Sequence, residues 1–142
     1  MTMNEKRQKK YPDTNAFHYY NANPKNKVTC DCVVRALSVA LNQSYEDTYK
    51  ELFEFSLKNG YMINDPKNEE RYLKSKGWHR CKMPKHSDNT KYTGIEFCEQ
   101  IAEYGKRYYL NIGHNHVVAV VNAKIYDIWN SSYNRVGVYY EK

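Results

Sequence analysis

After Gly105 the hydrophobic pattern of this chain switches from helical spacing to short β-rich runs, and that order limits the folds open to it. Residues 107–112, 116–121, 125–129 and 136–140 are rich in β-branched and aromatic side chains and are separated by turn formers. Upstream, apolar residues recur instead at the spacing of a helix face. Helices followed by an antiparallel meander is an α+β order. The expectation is a set of N-terminal helices packed on a C-terminal antiparallel sheet.

Four helices are expected. In the first, residues 32–41, Val33, Ala36, Leu37 and Ala40 share one face, Asp31 or Thr29 supplies the cap, and Cys32 falls in the first turn. A second starts at Ser44, whose hydroxyl and Asp47 resemble a capping box, and stops at Gly60. Its predicted inner face is Tyr45, Tyr49, Leu52, Phe53 and Leu57. Asp65 followed by Pro66 opens a third helix, which ends at Gly77. Thr93 and Glu96 form a capping box for a fourth, with Ile95, Cys98, Ile101 and Ala102 inward. Residues 1–25 carry turn formers and no periodicity, so they read as a flexible basic tail and lead-in before a single domain over 26–142.

A mean hydropathy of -0.92 implies a thin core. The 15 tyrosines must supply much of the buried area, each bringing a hydroxyl that needs a partner. No run of about 18 apolar residues is present, so no transmembrane span is expected. The basic N-terminus lacks the apolar segment of a signal peptide, which makes the cytoplasm the expected compartment. There the four cysteines are thiols by default. The net charge of +6 reads as a solvated surface and tail.

Two of these residues have the settings that thiol chemistry requires. A helix's first turn stabilises a thiolate through free N–H groups and the macrodipole, and Cys32 occupies that position. His116 opens a strand far along the chain, where a sheet holds an imidazole rigidly enough to exchange a proton with sulfur. Strand parity then selects the group that orients the histidine. A two-residue turn at Asn122-Ala123 pairs Val121 with Lys124 and places Asp127 diagonal to His116, on the face that also carries Trp129. A three-residue turn would bring Asn130 opposite instead. The two-residue turn is the commoner connection and favours Asp127. Cys30, Cys32, His114 and His116 form pairs with one intervening residue, not the two to four usual for structural zinc, so no metal and no cofactor is expected.

The motifs resemble those of papain-like cysteine peptidases. Asn26 stands six positions before Cys32, where that clan has an amide that donates to the oxyanion, and Asp127-Ile128-Trp129 is similar to its Asn-Ser-Trp segment. Closer still is the resemblance to small phage and bacterial papain-like proteins. Their Gly-Asp-Cys, Gly-His and Tyr-Asp-x-Trp segments are matched here by Cys30-Asp31-Cys32, Asn115-His116 and Tyr126-Asp127-Ile128-Trp129. Cys30 and Asn115 replace glycines of that pattern. The resemblance implies a thiol hydrolase of peptidase, isopeptidase or amidase type. Cys32, His116 and Asp127 would be the triad, Asn26 the oxyanion donor, and Trp129 and Asn130 supports.

A protein or peptide is the implied substrate, in a phage setting one from the host, whose cytoplasm would then be the site of action. The alternative is a catalytically silent relative that binds a host protein, a small ligand or nucleic acid in the same cleft. Nucleic acid is the less favoured partner. Lys106-Arg107-Tyr108-Tyr109 has the basic and aromatic mixture for it, but charge on an edge strand explains the same residues.

Overall fold

The computed structural model describes all 142 residues. In chain order the elements are α1 (Met3–Lys10), β1 (Phe17–Tyr19), α2 (Cys32–Ala40), α3 (Tyr45–Asn59), α4 (Pro66–Ser75), β2 (His79–Cys81), α5 (Gly94–Gln100), β3 (Arg107–Ile112), β4 (His116–Val121), β5 (Lys124–Asp127) and β6 (Val136–Glu141). The class is α+β. One six-stranded sheet runs in the order β1-β5-β4-β3-β6-β2. Every pairing is antiparallel except β1 with β5, so the expectation of a purely antiparallel sheet is corrected to a mixed one.

That parallel strand also corrects the reading of residues 1–25 as a tail. Phe17 is fully buried beside Ile125, and Ala16 and Tyr19 belong to the same core. The preceding α1 has a capping box between Thr2 and Glu5 and buries no residue of its own. Two polar side chains fasten it. Asn4 Oδ1 accepts from the Tyr19 hydroxyl at 2.8 Å and from Asn21 Nδ2 at 3.0 Å, and Arg7 Nη1 donates to the Ile128 carbonyl at 3.4 Å.

Both faces of the sheet are covered. On one side Leu37, Leu52, Tyr72 and Leu73 of the helices α2, α3 and α4 meet Tyr109, Val117 and Ala119. On the other, Phe97 of α5 and Phe17 meet Leu110, Val118, Val120 and Ile125. A strand buried on both faces needs a continuous apolar run, and after His116 β4 is Val-Val-Ala-Val-Val. Gly94 lets α5 lie close: an added Cβ would sit 2.9 Å from Ile112, Ile125 and the Ser132 backbone.

Caps behave as their chemistry predicts. Asp65 accepts from the Lys67 N–H with Pro66 in the first turn, and Thr93 and Glu96 close a capping box. Gly60 ends α3 with φ +79°, the left-handed backbone that glycine adopts without strain. The expected face of α3 is corrected. Thr48, Leu52 and Ser56 point inward, whereas Tyr49, Phe53 and Leu57 are exposed. The aromatic rings of Tyr45, Tyr49 and Phe53 lie tilted against one another along the helix. No helix is long and apolar enough to cross a membrane.

Candidate active site

The β4–β5 hairpin fixes the first two site residues. Asn122 and Ala123 both have positive φ, 50° and 59°, the type I′ turn that suits the twist of a two-residue hairpin. The ladder therefore runs Val121↔Lys124, Val120↔Ile125, Ala119↔Tyr126, as the two-residue reading requires. His116 at the start of β4 and Asp127 at the end of β5 come to the same end of the sheet, where Nε2 and Oδ2 are 2.6 Å apart. Just before His116, Asn115 holds a left-handed φ of 52° where the resembling pattern has glycine, a conformation asparagine tolerates better than most residues. Asn130 makes no hydrogen bond to the imidazole. Its Oδ1 accepts from the backbone N–H and hydroxyl of Ser132.

α2 packs across β4 and brings its N-terminus to this end of the sheet. Cys32, the first residue of the helix, is half-buried and lines the same cleft as His116, near enough for its charge to act on the ring. With Nε2 taken by Asp127, Nδ1 is the nitrogen left for sulfur. Burial by itself would lower His116, but the hydrogen bond to Asp127 and the neighbouring Asp127 and Cys32 groups lift it to about 9. The Trp129 ring lies 5.0 Å from the imidazole, centroid to centroid, at 40°.

Sequence reasoning missed the residue that ties these parts together. Arg35, only 6% exposed, donates through Nε to Asp31 Oδ1 and through Nη1 to Asp127 Oδ1, each at 2.7 Å. The i,i+4 spacing of Asp31 and Arg35 was a visible signal. Burial pulls the guanidinium down, and the two carboxylates more than offset it, so Arg35 stays charged. Asp127 thus receives three donors: His116, Arg35 and the Ile128 N–H at 2.7 Å.

Asp31 occupies the N-cap position of α2 without capping it by its side chain. Its carboxylate turns instead to Arg35, to Asn23 Nδ2 at 3.1 Å and to the Tyr45 hydroxyl at 2.8 Å. The backbone N–H groups of Cys32, Val33 and Val34 consequently find no acceptor within the chain. The expected oxyanion donor lies elsewhere. Asn26 is exposed in a turn with φ 54°, donates its N–H to the Asn23 carbonyl, and is not among the residues lining the cleft. The open N–H groups of the first helical turn, beginning with that of Cys32 itself, are main-chain donors at the sulfur's end of α2.

The pair opens onto a cleft of about 940 Å³, walled by α2, the start of β4, Ile128 and Trp129, with Arg7 and Glu69 contributing charge. Cys30 is exposed on its rim. Cys98 is core, as its place on α5 predicts, and burial pushes its thiol up to about 12. The one grouping of three metal-type donors is on the opposite edge of the sheet, where His79, Cys81 and Glu141 have donor atoms within 4.8 Å of one another. Lys106-Arg107-Tyr108-Tyr109 forms neither an edge strand nor a stacking platform. β3 is interior to the sheet, and Tyr108 and Tyr109 are buried.

No family model matches the chain, and no curated protein or solved structure does so either.

Proposed function

We propose that this chain is a papain-like thiol hydrolase acting on an amide or isopeptide-type bond. One observation carries the reading: a sulfur at a helix N-terminus shares a cleft with an imidazole whose Nε2 is held by a buried, three-donor carboxylate. Cys32 Sγ attacks the carbonyl carbon, and the oxyanion meets the open N–H groups of the α2 first turn. His116 then passes its Nδ1 proton to the leaving nitrogen, giving a thioester and a free amine. Water, deprotonated by His116, cleaves the thioester and restores the thiol. Asp127 orients the ring, and Trp129 shields it. The silent-binder alternative draws on the position of Asn26, which leaves the oxyanion to main-chain donors alone.

The test is pH-dependent alkylation by iodoacetamide, resolved by peptide. Cys32 is expected to label faster than the exposed Cys30 near neutral pH, and His116→Ala is expected to slow Cys32 by about 10–100-fold. Equal rates at Cys30 and Cys32, unchanged by His116→Ala, would favour the silent binder.

A further inference from the structure

Glu69 is a buried acid that the proposed chemistry leaves unused. It lies on α4, is 6% exposed, and lines the cleft that holds Cys32 and His116. Its Oε1 accepts from the hydroxyl of Tyr109, which is itself wholly buried on β3. Burial, with the neighbouring charges of Glu69 and Cys32, pushes that phenol well up, so the hydroxyl remains a donor. Tyr109 thus feels both Glu69 and Cys32, which line the one cleft. The second oxygen, Oε2, has no partner in the chain and is not sealed from solvent.

The other cleft-lining carboxylate is committed. Both oxygens of Asp31 are taken, by Arg35, Asn23 and Tyr45. A buried acid with a purely structural role has its acceptors satisfied, whereas Glu69, a residue of the cleft wall, leaves one oxygen unpaired. Burial lifts it to about 7, so an arriving cation finds a group that ionises readily at neutral pH. The protein's net charge of +6 opposes the approach of a basic partner at long range, so any such preference must be set locally.

Resting on the thiol-hydrolase reading, we propose that Glu69 forms an anionic subsite near Cys32 that seats the ammonium or guanidinium group of a basic peptide substrate.

Methanethiosulfonates test this without a known substrate. Each transfers its thioalkyl group to a thiolate, forming a mixed disulfide and releasing methanesulfinate. Cationic 2-aminoethyl, neutral 2-hydroxyethyl and anionic 2-sulfonatoethyl reagents would be compared at Cys32 by peptide-resolved labelling. In the wild-type chain the cationic-to-neutral rate ratio should be higher at Cys32 than at exposed Cys30. In Glu69→Gln, which keeps an acceptor for Tyr109, the ratio at Cys32 should fall by about tenfold with the neutral rate nearly unchanged. Glu69→Asp, which keeps the charge, should retain most of it. A wild-type ratio no higher at Cys32 than at Cys30, or a Glu69→Gln ratio equal to wild type, overturns the subsite. A parallel fall for all three reagents overturns it too, because Glu69 would then only position its neighbours. Failure of the hydrolase reading shows separately, as a neutral-reagent rate indifferent to His116→Ala.

Discussion

Arg35→Met is expected to destabilise the protein by about 3–5 kcal/mol, which is the usual consequence of removing one partner from a buried ion pair. The side chain of Arg35 is 7% exposed, and those of Asp31 and Asp127 are 8% and 1% exposed. Without the guanidinium, two carboxylates on neighbouring elements lose their shared cation. Asp31 is left with the neutral donors Asn23 and Tyr45, and Asp127 with His116 and the Ile128 N–H, none of which bonds to both acids. Arg35→Lys should recover only part of the loss, because a point charge cannot reach both acids with the geometry of the guanidinium fork. Urea denaturation of the three proteins measures this. A loss under about 1 kcal/mol in Arg35→Met would mean that the cluster is solvated as a surface pair is.

Asp127→Asn should lower acylation of Cys32 by a p-nitrophenyl ester about 10²-fold or more at neutral pH, although the replacement has the same shape. Oδ1 accepts from both Arg35 Nη1 and the Ile128 N–H, so the amide oxygen must take that position. The amide nitrogen then faces His116 Nε2, where Oδ2 now accepts. Two donors cannot share one bond, so Nε2 would have to give up its hydrogen and the ring proton would move to Nδ1. An imidazole protonated on the nitrogen nearest the sulfur cannot take the thiol proton. An asparagine works as an orienting residue only where its oxygen is free to meet the histidine, and Arg35 removes that freedom here. A variant that acylates at the wild-type rate would show that Asp127 does not set the tautomer.

How far this arrangement could be read from sequence depended on how local its cause was. Caps are decided within four residues, and Asp65-Pro66 and the Thr93 and Glu96 box start helices where their spacing says they should. The hairpin was legible for the same reason, since two residues with positive φ fix the register that brings Asp127 to His116. β1 was not legible. Three residues in a turn-rich stretch become a strand only because β5, more than a hundred positions later, offers an open edge. The α3 face was misread because periodicity weighs apolar area and takes no account of how close two helices must come. Thr48 and Ser56 won the inward positions over Tyr49 and Phe53. Arg35 was passed over inside an apolar run, because its second partner, Asp127, lies 92 positions away. The offset from Asn26 to Cys32 presupposed a loop path that the left-handed turn at Asn26 does not follow.

Activation of Cys32 depends on His116 being set by its two neighbours. Folding raises it from an ordinary 6.5 to about 9. The contribution of the protonated ring to stability is therefore fully present below about pH 6.5 and is lost as pH rises through about 9. An NMR titration of the His116 imidazole, followed at its ring carbon in isotope-labelled protein, reads this directly. The wild-type midpoint should lie near 9 and should fall in both Cys32→Ser and Asp127→Asn. A midpoint near 6.5 in all three proteins would mean that sulfur, ring and carboxylate do not act on one another.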